Sequence, residues 1–394
     1  MVLGPAENFD YYSDSVYWND FDIVVQDHSR RISGDTSVWW PAHLLNRYGQ
    51  KKSVFVFNCG NGWVERDLFA AGIIENVTAF DIMPKYVEEA QARAAEIGFP
   101  AKYFVADGNT GFLEDLRFDI IINIGSMHHV AFINRMTEML AHVEGEDGLY
   151  VGLDYVGPHR NQYGWNLWSN IIAANERLPA RYRRSPRYGH VPSMLATDPS
   201  EAVHSELQIE VLLRHFDILE YCRLGGGIAY TLLYDNRRLD AEQHTAEGRA
   251  ALELIMKADA DALVSDPDFN LFAFFVARPK NAGAVEPALR LQWQAEENER
   301  EARGAANGGR YYPPTALELI YNELHAAEYQ LKVAQKGGTC EVAAQGEPFQ
   351  GVSGESRDDH QSWKMELDPA HKKQALVPQQ AIMPNRISGR PDCC

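Results

Sequence analysis

The feature that most constrains the fold is a regular alternation of short apolar segments with helical segments between residues 53 and 157. The apolar segments are continuous, which is typical of strands that are covered on both faces of a sheet. Five strands are predicted, at 53–58, 76–81, 102–107, 117–125 and 148–157. Helical patterns separate them at 63–72, 84–98 and 128–143. Strands joined by helices at this spacing predict a doubly wound, mostly parallel α/β sheet.

The segments outside this core set the predicted domain organisation. Residues 1–50 are predicted to form helices beside the sheet, and residues 158–200 an aromatic and basic insertion. Further elements are predicted as helix 200–216, strand 217–224, helix 241–263 and strand 269–279. We therefore predict one domain over 1–280, a helical extension over 281–336, and a disordered tail over 337–394, where apolar clusters are few.

Three polar positions follow successive predicted strands and would share one edge of the sheet. The first is the loop 58–62, NCGNG, whose glycines let a ligand approach the backbone beside a helix N-terminus. The second is Asp81, about twenty residues later, where a carboxylate can accept hydrogen bonds from both ribose hydroxyls. The third is Asp107 with Gly108. Each alone could be an ordinary turn or helix cap, but their order and spacing together indicate a nucleotide-type site.

With these motifs, region 53–157 resembles the core of class I S-adenosylmethionine-dependent methyltransferases. The wider similarity is to bacterial members that act in glycan or small-molecule pathways, and it rests on YWNDFD near the start and DYVGPHRNQYGW after the fifth strand. The resemblance implies a Rossmann-like sheet with an antiparallel last strand. It departs from the family's first motif twice, because Val56 stands where an acid is expected and Asn58 replaces the first glycine.

The resemblance also implies the residues that bind S-adenosylmethionine. Asp81 would hold the ribose with Ile82 beside the adenine, and Asn123 and Ile124 would line the methionine moiety. The full implied set is Asn58, Cys59, Gly60, Gly62, Asp81, Ile82, Asp107, Gly108, Asn123 and Ile124.

Methyl transfer requires alignment of the acceptor and, for a hydroxyl acceptor, removal of a proton. Candidate bases near the open edge are His128, His129, Asp154 and His159, of which we select His128 and Asp154 as catalytic. Five aromatic residues could wall an acceptor pocket or simply pack: Trp39, Trp40, Tyr163, Trp165 and Trp168. Four arginines could clamp an acidic group or remain solvated: Arg181, Arg183, Arg184 and Arg187.

Composition limits the partners. The chain has 55 acidic and 37 basic residues and a net charge of −18, which disfavours nucleic acids and anionic membranes. Its five cysteines form no C-x-x-C pair and no zinc-ligand spacing with histidine, so neither a disulfide framework nor a metal site is predicted. We expect a cytoplasmic protein that acts on a small molecule, while the sequence leaves the oligomeric state open.

The expected function is transfer of the methyl group of S-adenosylmethionine to a sugar or secondary metabolite. One alternative is a scaffold protein that binds the cofactor without turnover, which the altered first motif would favour. Another is an NAD(P)-dependent oxidoreductase. In that alternative, Glu65 would occupy the third glycine position of G-x-G-x-x-G, where a bulky side chain obstructs close packing of helix on strand.

Overall fold

A computed structural model describes residues 15–108, 117–280, 287–306 and 316–335. The strands are β1 (Lys51–Phe57), β2 (Ile74–Asp81), β3 (Ala101–Val105), β4 (Phe118–Ile124), β5 (Glu144–Tyr155), β6 (Phe216–Gly226) and β7 (Asn270–Pro279). The helices of the first half are α1 (Asp22–Ser33), α2 (Trp40–Tyr48), α3 (Trp63–Ala70), α4 (Pro84–Glu96), α5 (Ile133–Val143), α6 (Trp165–Glu176) and α7 (Val191–Thr197). Those of the second half are α8 (Gln208–His215), α9 (Ala229–Leu233), α10 (Arg237–Ala241), α11 (Ala246–Ser265), α12 (Pro287–Ala306) and α13 (Ala316–Gln335).

The seven strands form one sheet in the order β3-β2-β1-β4-β5-β7-β6. Strands β1 to β5 pair in parallel, whereas β7 lies antiparallel between β5 and β6. The chain reverses its direction of growth across the sheet between β3 and β4, where α/β sheets bind ligands outside the carboxyl ends of their strands. The predicted Rossmann-like fold with an antiparallel last strand is confirmed.

Apolar side chains cover both faces of the sheet. On β1, Val54 and Val56 belong to a buried cluster that also contains residues of α3 and α4, while Phe55 and Phe57 belong to one that contains residues of α5 and α8. Alternate side chains of a strand point to opposite faces, so two covered faces require a continuous apolar run. This is the physical reason why the strands could be predicted from the sequence.

Two predicted helices are shorter in the structure. The segment 128–143 begins with a 3₁₀ turn, Met127–His129, and the α-helix starts only at Ile133. The side-chain oxygen of Asn123 accepts the N–H groups of Ser126 and Met127, which holds this turn against the end of β4. Likewise, the predicted helix 200–216 is a 3₁₀ turn, Ser205–Leu207, followed by α8. The spacing of apolar residues does not reveal such hydrogen bonds from side chains to the backbone.

Helices α12 and α13 lie within the interval predicted as a helical extension, and both pack on the sheet domain. Glu297 of α12 contacts the start of α5, and Asn322 of α13 contacts Gly189 and Val191 beside α7. The boundaries of the three predicted units stay a prediction, and the tail 337–394 lies outside the described residues. Among the described residues, every helix is either too short or too polar to span a lipid bilayer.

Candidate functional site

The loop after β1 has the left-handed backbone that its sequence indicates. Asn58, Gly60 and Gly62 have φ angles of 51°, 56° and 73°. Asparagine is among the few residues other than glycine that adopt this conformation readily. The exchange of the first glycine for Asn58 therefore leaves the turn intact. Its side-chain amide donates to the carbonyl oxygen of Ser126 at 3.2 Å, which ties the end of β1 to the end of β4.

Gly62 is required by packing as well as by its φ angle. A Cβ atom at this position would lie 2.7 Å from the Tyr103 hydroxyl and 3.0 Å from the Cβ of Ala90. A Cβ at Gly60, in contrast, would meet no atom within 4 Å. The loop is thus pressed against β3 and α4 on one side and has open space beside Gly60.

Asp81, at the end of β2, holds the glycine loop directly. One carboxylate oxygen accepts the N–H of Gly60 at 2.9 Å, and the other accepts the N–H of Met83 at 2.9 Å. Burial raises the pKa of this carboxyl, and the two backbone hydrogen bonds oppose that rise. Each carboxylate oxygen has two lone pairs and therefore keeps capacity for a further donor such as a ribose hydroxyl. Next to it, the apolar side chain of Ile82 is 40% exposed.

The remaining predicted cofactor residues differ in their burial and in their distance from this loop. A Cβ on Gly108 would contact the Phe80 ring at 3.5 Å and the side-chain oxygen of Asn58 at 3.9 Å, so Gly108 lies beside the loop. Asp107 is partly buried just beyond β3, and Ile124 is partly buried at the end of β4. Cys59 is buried, and burial raises the pKa of its thiol. Asn123 is fully buried and holds the 3₁₀ turn, so its proposed contact with the methionine moiety stays a prediction.

His128 and Asp154 form a close pair at the same edge of the sheet. The Nδ1 atom of His128 lies 2.6 Å from a carboxylate oxygen of Asp154, whose side chain is fully buried. Burial acts to lower the pKa of His128, but the Asp154 charge outweighs it and raises that pKa to about 9. Burial acts to raise the pKa of Asp154, and the imidazolium of His128 outweighs it and lowers that pKa.

Asp154 is fixed by the backbone around it. Its carboxylate accepts the N–H groups of Ser126 and Met127 from the 3₁₀ turn, at 3.2 and 2.7 Å, and that of Tyr155 at 2.7 Å. A carboxylate with this many donors cannot rotate freely, so it fixes the plane of the His128 ring. Asp154 therefore holds the ring of His128 in position.

A loop that the sequence analysis did not single out completes this edge. Glu201 places a carboxylate oxygen 3.9 Å from Nε2 of His128. The Nδ1 atom of His129 lies 3.0 Å from the hydroxyl of Ser200 and 3.6 Å from the carboxylate of Asp198. No local sequence signal indicates this approach, because Ser200 is 71 positions away from His129 along the chain.

Buried Arg160 anchors that loop. Its guanidinium donates to the carbonyl oxygens of Pro199 and Glu201, at 2.8 and 3.3 Å. The N–H of Val203 donates to the carbonyl oxygen of His128 at 3.0 Å. Arg160 therefore fixes the loop, and the hydrogen bond from Val203 to His128 joins the loop to the 3₁₀ turn.

Glu65 is a buried acid beside the glycine loop, and its burial was not predicted from the sequence. It lies in the first turn of α3, directly after the glycine loop, and its side chain is completely buried. Neither of its carboxylate oxygens has a hydrogen-bond partner among the described side chains and neighbouring backbone. Burial raises its pKa to about 8.

The five aromatic residues and two of the four arginines suggested for acceptor binding have other contacts. Trp39 and Trp40 are buried in one apolar cluster, and Tyr163 and Trp168 in another. Trp165 packs against α13. Of the arginines, Arg181 pairs with Glu242 and Glu247, and Arg183 donates to the carbonyl oxygens of Glu176 and Leu178. For these residues the structure supports the packing and surface interpretations.

Comparison with known proteins bears on the same region. Residues 54–146 match the sequence profile of a family described as a methyltransferase domain. The match spans about a quarter of the chain, and over this stretch it confirms the resemblance to class I S-adenosylmethionine-dependent methyltransferases. No curated protein sequence matches the chain.

Several solved structures are similar to the chain. An O-methyltransferase from a trans-AT PKS multienzyme of Brevibacillus brevis, in complex with S-adenosyl-L-homocysteine, is 16% identical with a TM-score of 0.39, covering 70% of this chain and 84% of its own. An S-adenosylmethionine-dependent methyltransferase from Mesorhizobium loti is 19% identical with a TM-score of 0.38, covering 61% and 96%. The cyclase SpnF is 14% identical with a TM-score of 0.38, covering 62% and 82%. At these identities and TM-scores, no activity or substrate of this chain can be inferred from the three structures.

Proposed function

We propose that this protein transfers the methyl group of S-adenosylmethionine to a small-molecule acceptor, a sugar or a secondary metabolite. The single observation that carries the proposal is the hydrogen bond between the N–H of Gly60 and the carboxylate of Asp81. It joins the glycine loop after β1 to the acid after β2 at the carboxyl edge of the sheet. The methyltransferase-domain match over the same residues supports S-adenosylmethionine as the cofactor.

The residues present fit that cofactor. Asp81 has lone pairs available for the ribose hydroxyls, and the exposed side chain of Ile82 offers an apolar surface for the adenine ring. The open space beside Gly60 lets a ligand approach the loop backbone. The acid expected in the first motif is missing, since Val56 occupies its position. The Val56 side chain is buried in an apolar cluster. The amino-acid end of the cofactor therefore depends on other residues.

The His128–Asp154 pair would act on the acceptor. The cofactor supplies a methyl group on a positively charged sulfur, which is displaced in line by an acceptor atom. Asp154 holds the ring of His128, and Nε2 of His128 faces the partly buried carboxylate of Glu201. The pair can orient the attacking atom. Because the pKa of His128 is raised to about 9, only the neutral form of its ring, which predominates above that pH, can accept the acceptor's proton.

Calorimetric titration with S-adenosylmethionine tests the proposal. We expect the wild-type chain to bind S-adenosylmethionine and its demethylated product, and Asp81→Asn to bind both about 10- to 100-fold more weakly. The substitution removes charge-assisted hydrogen bonds to the ribose worth about 1.5–3 kcal/mol. Asn keeps one acceptor oxygen for the loop, so the variant is expected to stay folded, which circular dichroism checks.

Asp119→Asn is the matched control. Its carboxylate also accepts two backbone N–H groups, those of Lys52 and Ser53, but at the opposite end of β1. Unchanged affinity in this variant would show that loss of binding in Asp81→Asn is local. A wild-type chain that binds neither S-adenosylmethionine nor its product contradicts the proposal, and binding of NAD in their place would favour the oxidoreductase.

A further inference from the structure

We infer that His128, His129 and Glu201 form a binding site for a divalent transition-metal ion of the zinc, iron or manganese type. One nitrogen of each histidine and one carboxylate oxygen of Glu201 lie within 4.8 Å of one another. Three atoms at such separations share a point about 2.8 Å from each of them. Zinc binds nitrogen and carboxylate ligands at about 2.0–2.2 Å, so closing movements of less than about 1 Å per ligand would suffice.

His128 is already oriented as a metal ligand. Its Nδ1 atom bonds Asp154 at 2.6 Å, which leaves Nε2 directed towards Glu201 at 3.9 Å. Metal-binding histidines almost always use their other nitrogen in this way, because a bonded carboxylate fixes the ring and raises the basicity of the ligating atom. Asp154 is itself held by three backbone N–H groups, so the orientation is built into the sheet edge.

The other two ligands lie on segments that are tied to the same edge. His129 shares the 3₁₀ turn with His128, and their ring centroids lie 4.1 Å apart. Glu201 lies on the loop that Arg160 fixes through its carbonyl oxygens. The bond from Val203 to the carbonyl oxygen of His128 sets the distance between turn and loop. The site is therefore preorganised instead of being assembled from mobile surface side chains.

Charge and ligand type identify the class of ion. Three carboxylates, from Asp154, Asp198 and Glu201, face the two histidines, and a divalent cation would offset their mutual repulsion. Two imidazoles and one carboxylate suit zinc, iron or manganese better than calcium, which takes oxygen ligands. Three protein ligands leave at least one position open for water or for an oxygen of the acceptor. This last role rests on the proposed function, whereas metal binding itself does not.

The full chain, free of affinity tag and treated with chelator, tests the inference. We expect one equivalent of Zn²⁺ to bind in calorimetry and one equivalent of Co²⁺ to give visible absorption bands. Glu201→Gln and His129→Gln should each weaken Zn²⁺ binding at least about 10-fold and reduce the Co²⁺ bands. No binding to the wild type, or equal binding to Glu201→Gln, overturns the inference.

A second histidine cluster provides the matched control. His159, His204 and Glu206 also lie within ligand distance of one another, but these two rings are 5.9 Å apart and Glu206 is exposed. We expect Glu206→Gln to bind Zn²⁺ like the wild type. Loss of the single equivalent in Glu206→Gln, with binding retained in Glu201→Gln, would place the ion elsewhere and contradict the assignment.

Titration with S-adenosylmethionine of the same metal-free preparation separates the two proposals. A chain that binds S-adenosylmethionine but no Zn²⁺ contradicts the metal site and leaves the proposed methyltransferase standing. A chain that binds Zn²⁺ through Glu201 but no S-adenosylmethionine confirms the metal site and contradicts the methyltransferase. Circular dichroism of each variant excludes unfolding as the cause of lost binding.

Discussion

At the scale of single residues, the glycine loop depends on side chains with little freedom to change. Asn58 adopts the left-handed conformation of the glycine it replaces, and its side-chain amide donates to the carbonyl oxygen of Ser126. Asp81 accepts the N–H of Gly60 within the loop and the N–H of Met83 just before α4. Glu65 stands apart, because it is a buried acid with no bonded partner among the described residues. Its protonation therefore affects stability directly.

Glu65 should make folding depend on pH in a defined direction. Its pKa is about 8 in the folded chain and about 4.5 when unfolded, so the folded state binds the extra proton between these values. The free energy of unfolding of the wild type should therefore fall as pH rises from about 5 to 8, by up to about 1.4 kcal/mol per pH unit from this group.

The comparison of wild type with Glu65→Gln isolates that contribution. The difference in free energy of unfolding, measured with urea without ligand at several pH values, should move in favour of the variant as pH rises. Other titrating groups cancel in the difference. A difference that stays constant from pH 5 to 8 would show that Glu65 does not hold a proton in the folded chain.

At the scale of elements, the start of α3 packs closely against β3 and α4 at Gly62. Gly62 has a φ angle of 73° and faces the Tyr103 hydroxyl, so an added methyl group would meet both backbone strain and a clash. The Tyr103 hydroxyl is buried and has no hydrogen-bond partner within the described part of the chain. The packing of Gly62 against the Tyr103 hydroxyl therefore restricts the loop, while no hydrogen bond offsets the burial of that hydroxyl.

A double-mutant cycle tests this contact. We expect Gly62→Ala to destabilise the fold by about 2–4 kcal/mol, of which about 1–2 kcal/mol is the left-handed conformation. Tyr103→Phe alone should be neutral or stabilising, because it removes a buried unpaired hydroxyl. Combined, the two changes should cost less than Gly62→Ala alone. Strict additivity in chemical denaturation would rule out the contact as the source of the strain.

At the scale of the whole molecule, the C-terminal helices are part of the structure that carries the site. Glu297 of α12 is buried, and its carboxylate accepts the N–H groups of Asn134 and Arg135 at 2.5 and 2.6 Å. These groups belong to the first turn of α5, where a helix has unpaired donors and a partial positive charge. A distant part of the chain thus caps the helix that follows the His128 turn.

Glu297→Gln should lower the free energy of unfolding by about 1–2 kcal/mol, since it replaces charge-assisted hydrogen bonds at a helix N-terminus by neutral ones. Glu299→Gln, two positions away on the exposed face of α12, is the matched control and should have little effect. Urea denaturation of both variants checks the difference. Equal stability of the two variants would mean that α12 does not cap α5 in solution.

The sequence by itself determined the succession of strands and helices along the chain and the sheet edge at which the predicted binding residues lie. Continuous apolar runs and the glycines and acids at strand ends are local features, and parallel strands bring their carboxyl ends to one edge. Asn58, Gly60 and Asp81 could therefore be grouped from their spacing alone. His128 and Asp154 were both placed near this edge by the sequence, but their hydrogen bond was not predicted.

Only the tertiary structure decided how that edge is completed. Glu201 reaches His128 because buried Arg160 and the N–H of Val203 fix a distant loop, and Glu297 reaches α5 from beyond the sheet domain. Such contacts depend on where loops cross the surface, which hydrophobic spacing does not encode. The same limit explains the shortened helix after His128, since a single buried amide, that of Asn123, outweighs the helical pattern.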